Sequence, residues 1–322
     1  MSGRNSRYKP LFQGAFWRVC GLSQGINRRY IVHNSLYIRL FYLQKIAALG
    51  KIFYHQIKDF AGRRKVKNMI NLIESKDNPK IKNALKIAND ASYRRKNGVF
   101  FAATSKVVLD IIDAGFAHQA VFVLADEYEK FEDRLPAKNV YTVSQPVADK
   151  LSEGKTEDGM WAVFEMKTAD EDAVFTADKL LVLQDVQDPN NMGAIMRTAL
   201  GFGYDNVVVS ARCADVYSRK VIRTSMTASV KVNVLKVADM VAFTQKLNEK
   251  GFTTVAACLD GASDLGTVKT SLPVALYIGN EGQGLSDDVI ENCKIRLKIP
   301  MSDRIESLNA AVSAAVLMWE LR

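Results

Sequence analysis

The residues of this chain best suited to chemistry lie in three segments of its second half. Residues 276–285 read Leu-Tyr-Ile-Gly-Asn-Glu-Gly-Gln-Gly-Leu, an apolar strand entering a loop with glycines at 279, 282 and 284 and one carboxylate, Glu281. Glycine lets backbone amides approach a ligand closely, because no Cβ stands in the way. Residues 299–309 read Ile-Pro-Met-Ser-Asp-Arg-Ile-Glu-Ser-Leu-Asn: a second strand ends at Pro300 and a helix of small residues begins near Ser307. Two such strand ends side by side make a crevice at the carboxyl edge of an α/β sheet, where ligands of open sheets usually sit. In residues 180–199 an apolar run meets Asp188-Pro189-Asn190-Asn191, a turn signal, and a helix follows that carries Arg197 two turns in.

These segments need a scaffold, and the rest of the pattern supplies one. Strands are predicted near 180–186, 206–210, 253–258, 274–279 and 295–299. Helices near 192–202, 217–228, 238–250 and 306–321 alternate with them, which implies a parallel sheet covered on both faces. Residues 69–166 read as a smaller α/β unit. Asn78-Pro79 opens a helix through about Ala91, a strand follows at Val99–Ala102, and a helix over Ser105–Ala114 is ended by Gly115. Further strands are expected at Ala120–Ala125, Val140–Ser144 and Trp161–Met166, with short helices at 127–133 and 146–152. The acidic, weakly periodic stretch 167–178 reads as a linker, leaving 179–322 as the second domain.

The three segments, in this order and spacing, resemble the signature motifs of the SpoU/TrmH family, RNA 2′-O-ribose methyltransferases of the SPOUT superfamily. The likeness covers most of residues 70–322, closely in the second part. It implies an α/β SPOUT domain whose carboxyl end threads a trefoil knot, preceded by a domain shaped like a small ribosomal RNA-binding protein, as in the rRNA-modifying branch. It implies homodimers whose active sites draw on both chains, with S-adenosyl-L-methionine as donor and RNA as substrate. Carried over position by position, Gly279, Ile299 and Leu308 line the adenosyl pocket, with Asn280, Met301 and Ser307 as further contacts. Arg197 matches the arginine that the family places near the ribose 2′-hydroxyl and assigns as general base. A guanidinium stays protonated under ordinary conditions, so orienting a ribose or phosphate through forked hydrogen bonds is its alternative role. Asn191 matches the motif asparagine that fixes the catalytic loop or Arg197, or else it is a helix N-cap. Glu281 accepts from Arg197 or holds backbone amides of the neighbouring motif. Ser307 and Asn309 complete the set, with Ser307 also a candidate cap for the last helix.

Two departures stand out. Relatives usually have a Ser-Ala-Gly-Ala-like stretch where this chain has Ser225-Met226-Thr227-Ala228, which weakens any carry-over to Arg223 and Ser225. In the first domain, Phe100-Phe101-Ala102-Ala103-Thr104 lacks the acid and glycine often found there. RNA contacts are expected on Lys76, Lys80, Lys82, Lys86, Arg94, Arg95 and Lys96, set against only Asp77 and Asp90, with Tyr93 available to stack on a base. A solvated helix face would have the same composition.

The net charge of +9 belongs to the first 68 residues, which hold 14 of the 44 Lys/Arg and one of the 35 Asp/Glu. The remainder carries 30 basic against 34 acidic residues, so the body is not a polycation. Residues 1–58 lack Asp and Glu altogether, the composition of an organellar transit segment. A disordered extension or a gene start extended upstream of Met69 is the favoured reading, since the resemblance begins almost there and the stretch is longer and more aromatic than a transit segment. No apolar run reaches the roughly 18–20 residues that span a bilayer. Cys20, Cys213, Cys258 and Cys293 lie far apart, reading as reduced thiols with neither a disulfide frame nor a metal site. A cytoplasmic location is expected, or a mitochondrial one if the leader is a transit segment. A dinucleotide oxidoreductase is excluded, because the glycines run Gly279-Asn-Glu-Gly282-Gln-Gly284 and not G-x-G-x-x-G. A catalytically silent ribosome-assembly factor, a tRNA-directed enzyme and an antibiotic-resistance methyltransferase remain as alternatives within the same fold.

Overall fold

Apolar runs of strand length fold into two sheets in the computed structural model, which describes residues 71–152, 158–305 and 307–321. The reading of residues 1–68 lies outside the described residues. The first sheet uses β1 (Asn71–Ile73), α1 (Pro79–Asn89), α2 (Ala91–Asn97), β2 (Val99–Ala103), α3 (Ser105–Asp113), β3 (His118–Leu124), α4 (Tyr128–Phe131), β4 (Val140–Val143), α5 (Gln145–Leu151) and β5 (Met160–Glu165). Its order is β1-β4-β3-β5-β2, with β1, β4 and β3 parallel and β5 antiparallel to both neighbours. The single helix expected through Ala91 is two helices. Asp90 takes an extended backbone and its carboxylate accepts from Tyr93 N at 2.9 Å, so it caps α2 and ends α1. Gly115, just past α3, has a φ of 75°, as a helix-terminating glycine should.

The stretch read as a linker contains a short helix, α6 (Glu171–Phe175), whose Val174 is fully buried. The second sheet follows: β6 (Lys179–Leu183), α7 (Pro189–Gly201), β7 (Asn206–Val209), α8 (Arg219–Thr224), α9 (Ala228–Lys231), β8 (Asn233–Lys236), α10 (Met240–Glu249), β9 (Thr253–Ala257), β10 (Ser263–Asp264), β11 (Val274–Ile278), α11 (Asp287–Asn292), β12 (Ile295–Lys298) and α12 (Ala310–Glu320). Every pairing in it is parallel, in the order β10-β12-β9-β11-β6-β7-β8. A parallel sheet covered on both faces is therefore what forms. Along β6 and β11, Leu181, Leu183, Leu276 and Ile278 face α7 and α12, while Leu180, Val182, Ala275 and Tyr277 face α10 and α11. This is the period-2 alternation of a strand buried on both sides. Each of the leucines, the valine and the isoleucine among them contributes about 1.5–3 kcal/mol on burial. Among the described residues, no helix is long and apolar enough to cross a membrane.

The chain runs from β6 out through β7 and β8, then returns to place β11 between β9 and β6. The switch point therefore lies between β6 and β11, and Leu183 pairs with Ile278 there. Their carboxyl ends deliver Gln184 and Gly279 side by side, which opens a crevice.

The helix expected over 217–228 is broken into α8 and α9, with Met226 at φ 50° and Thr227 at φ 70°. Glycine adopts this left-handed backbone freely and a β-branched residue rarely does. Ile222 and Val230 from these helices share a core with Phe100 of β2 and Val107 and Val108 of α3, joining the two layers. On the other side of α8, α7 approaches so closely that a Cβ on Gly193 would lie 2.7 Å from Thr224 Cβ and 3.0 Å from Ser225 N. Gly193→Ala is expected to force these helices apart and cost roughly 1–3 kcal/mol. Denaturant unfolding of the variant checks this, and an unchanged midpoint would contradict the packing.

Candidate active site

The glycine loop after β11 closes on itself. Asn280 N donates to Gly284 O at 2.9 Å and Gly284 N returns to Asn280 O at 3.0 Å. A Cβ on Gly279 would sit 2.2 Å from Gly284 C and 2.3 Å from Leu285 N, so only glycine permits the closure. Asn280 Oδ1 accepts from Gly282 N at 2.9 Å and Gln283 N at 3.0 Å, and Nδ2 donates to Asp185 O at 2.8 Å. The Asn280 amide is therefore occupied in shaping the loop and tying it to the segment after β6.

Glu281 is then held over the start of α7. One oxygen accepts from Asp188 N at 3.2 Å and from Asn191 Nδ2 at 3.0 Å, while the other accepts from Gln187 N at 3.4 Å. Of its two expected roles, holding the amides of the neighbouring motif is the one found; it accepts nothing from Arg197. Burial raises the Glu281 pKa, but hydrogen bonds from the Asn191 side chain and nearby backbone amides outweigh it, so the carboxyl lies below its ordinary value.

Asn191 is buried and bridges three segments. Its Oδ1 accepts from Asn309 Nδ2 at 2.9 Å, and Asn309 Oδ1 accepts from Ala311 N at 2.9 Å and Val312 N at 3.4 Å. Asn309 is thus the N-cap of α12, which corrects the expectation that this helix starts near Ser307. Asp188, accepting from Asn190 N at 2.9 Å, is the N-cap of α7, which corrects the capping alternative for Asn191. Each amide orientation is dictated by its partners. A carboxylate only accepts and backbone N–H groups only donate, so Nδ2 of Asn191 must face Glu281 and Oδ1 of Asn309 must face the helix.

Beside this lock lies a cavity of about 530 Å³. Gly279, Asn280, Ile299, Met301, Ser307 and Leu308 line it, as do Ile278, Leu285 and Leu317. The end of β9 and the residues after it, Ala257–Asp260, also line it and were missed; the signal was only another strand end beside β11. Arg197 lies elsewhere. It projects from α7 six residues beyond Asn191, about 9 Å along the axis. It is exposed and, among the described residues, has no hydrogen-bond or ion-pair partner.

The basic residues of the first domain divide. Lys82 pairs with Asp77 at 3.0 Å, Lys80 lies 4.8 Å from the Tyr141 ring, and Lys86 covers the Tyr93 ring at 4.2 Å. Arg95 and Lys96 are exposed. Arg94 is a correction: it is 4% exposed, and its guanidinium is taken up by Asp215 and the carbonyls of Ile87 and Ala88. Four of its five N–H donors are spent inside the protein, and its burial keeps it from an RNA phosphate. At the Met226-Thr227 departure, the buried Thr227 hydroxyl donates to the Asp110 carboxylate, and Lys231 Nζ meets the same oxygen at 2.7 Å. The three cysteines within the described residues are unbridged.

With this geometry in place, residues 178–319 match the model of the SpoU rRNA methylase family. Over these residues, which make up the second domain, the chain is similar to that family. A protein of Staphylococcus haemolyticus assigned to the TrmH family of tRNA/rRNA methyltransferases is 34% identical over 142 residues, covering 44% of this chain and 57% of that protein. RlmP of Bacillus subtilis, a 23S rRNA (guanosine(2553)-2′-O)-methyltransferase, is 28% identical over 255 residues, covering 78% and 98%. An AdoMet-bound rRNA methyltransferase from Sinorhizobium meliloti shares the fold, with a TM-score of 0.70 at 23% identity over 78% of this chain and 97% of that one.

Glu281 dictates an acid response. A carboxyl with a depressed folded pKa adds stability above its unfolded value and loses it as pH falls through the folded one. The difference in denaturant midpoint between wild type and Glu281→Gln is expected to hold steady above the ordinary value of 4.5 and to shrink below it. A difference independent of pH would contradict the ionised lock.

Proposed function

We propose that this protein transfers the methyl group of S-adenosyl-L-methionine to a ribose 2′-hydroxyl in ribosomal RNA. The observation that carries the reading is that three separate segments of this domain meet at the amide of Asn191, beside a cavity that two of them line. The cavity suits the donor: its size lies within the roughly 300–1,000 Å³ usual for cofactor sites, and its walls mix apolar side chains with loop backbone. Gly279, Ile299 and Leu308 would hold the adenosyl group, with Met301 and Ser307 at its edge and Asn280 shaping the loop. When bound, the donor supplies an activated methyl on a sulfonium. The chain's part is to place a ribose hydroxyl in line with that methyl and to keep the geometry fixed. Arg197, staying protonated, donates to the ribose or an adjoining phosphate and so orients the attacking oxygen. RlmP, aligned over nearly its whole length, supports ribosomal RNA as the substrate.

Arg197 lies outside the cavity of its own chain, which fits a homodimer in which each site is completed by its partner. Val312, Val316 and Trp319 leave an exposed apolar stripe along α12, at helical spacing. Trp319 stacks obliquely on Phe202 at the end of α7, 5.7 Å away, so the stripe continues onto the arginine-bearing helix. A second copy seated there would bury the stripe and bring in its own arginine. This reading also expects the trefoil knot of the family, a cytoplasmic setting, and RNA phosphates on Lys80, Lys82, Arg95 and Lys96 of the first domain.

Arg197→Ala is expected to abolish methyl transfer while S-adenosylhomocysteine still binds, as read by titration calorimetry; wild-type turnover would end the assignment. Val316→Glu is expected to yield monomers by light scattering and to lose transfer with them. An active monomer would refute the shared site.

A further inference from the structure

Arg94 sits on α2, beside Arg95 and Lys96, yet it points into the joint between the two sheets. Nη1 donates to Ile87 O at 2.6 Å and Ala88 O at 2.8 Å, and Nε and Nη2 donate to Asp215 Oδ2 at 3.1 and 2.7 Å. The side chains are 5% and 18% exposed. An ion pair this deeply buried adds little net stability, because desolvation offsets the attraction. What it does supply is direction, since the planar fork of a guanidinium accepts few geometries.

The direction bears on the loop 210–218, between β7 and α8. Asp215 organises that loop: Oδ1 accepts from Tyr217 N at 3.0 Å, and its carbonyl accepts from Ser218 N at 2.9 Å. The other end of the loop grips the segment after β6. Ser210 Oγ donates to Asp185 Oδ1 at 2.6 Å and accepts from Asp185 N at 2.9 Å. Arg212 pairs with the Asp185 carboxylate, and Ala214 N donates to Val186 O at 2.8 Å. Asp185 has a φ of 59°, a conformation that persists in a non-glycine residue only where its surroundings over-determine it. Gln187 and Asp188, whose amides Glu281 holds, come next. An unbroken series of short contacts therefore runs from the basic helix of the first domain to the Asn191 lock.

We propose that Arg94 and Asp215 are positioning residues for methyl transfer: their pair fixes the loop 210–218, and through it the segment 185–188, against the RNA-facing domain. The proposal rests on the methyltransferase reading given above. Arg95 and Lys96 are placed to meet RNA on the same short helix, so the domain that receives the RNA also sets the geometry of the site.

Asp215→Asn keeps the shape and the acceptor for Tyr217 N but removes the charge that orders the fork. The variant is expected to lose roughly ten- to a hundredfold in kcat, the scale of a small misplacement of reacting groups, with KM for RNA and affinity for S-adenosylhomocysteine unchanged. Hydrogen exchange of the amides 184–188 should accelerate. A merely structural role would instead lower the fraction able to bind S-adenosylhomocysteine and leave kcat per bound site intact. If Asp215→Asn folds poorly, the double variant Arg94→Met with Asp215→Asn removes the pair without stranding a buried charge, and should show the same loss of kcat and the same faster exchange. Wild-type kcat with unchanged exchange in either variant would overturn the proposal. A wild-type protein that transfers no methyl would overturn the functional reading instead, and exchange at 184–188 would then decide the coupling alone.

Discussion

The site depends on one primary amide. Asn191 is the residue through which the segments after β6, β11 and β12 touch, and it can do this because an amide offers a donor and an acceptor at the same end of a short side chain. Its NH₂ meets the carboxylate of Glu281 and its oxygen meets the NH₂ of Asn309. A carboxylate of that reach does not serve both neighbours, because it only accepts. Aspartate would set two carboxylates against each other and leave the Asn309 amide as the only donor. Because Asn191 is buried, either partner left unmet would cost on the order of 1–3 kcal/mol. Glu281 and Asn309 are themselves spent on backbone amides, one on the turn before α7 and the other on the cap of α12. The lock therefore sets where two helices begin.

Much of this was legible in the sequence for definite physical reasons. A parallel strand buried on both faces is a continuous apolar run, and β6 and β11 are such runs. Glycine at 279 is demanded by a backbone approach that no side chain survives, and this made the loop conspicuous. The misses are of a different kind. Asp90 ends one helix and starts the next with a single cap, and the apolar periodicity before it gives no warning. β8 and β10 are short edge strands with exposed or half-exposed residues, so they lack the apolar signature of their neighbours. Arg94 read as one more positive charge in a basic run, because the sequence does not reveal that Asp215 faces it across the domain joint. The break at Met226-Thr227 was invisible as structure, although the departure from the family's usual residues marked the place. There a threonine holds a backbone that suits glycine, and its hydroxyl reaches Asp110 of the other domain.

The distribution of charge fits the same picture. With residues 1–68 set aside the remainder is slightly acidic, so any attraction for a phosphate backbone would be local. With Arg94 buried, the surface that remains comprises Lys80, Lys82, Arg95 and Lys96. Lys82 is held only by an exposed pair with Asp77, and pairs of that kind contribute roughly 0.2–1 kcal/mol. A phosphate could displace that aspartate at little cost. The first domain meets the second through buried charges, the Arg94–Asp215 pair and the Asp110 contacts with Thr227 and Lys231.

The measurement that tests the account most directly is transfer of labelled methyl from S-adenosyl-L-methionine to ribosomal RNA from a strain lacking this gene, followed by nucleoside analysis. A labelled 2′-O-methyl nucleotide, at one position and absent with RNA from the parent strain, is the predicted result. Label on a base, or no transfer by a protein that binds both the RNA and S-adenosylhomocysteine, would contradict it.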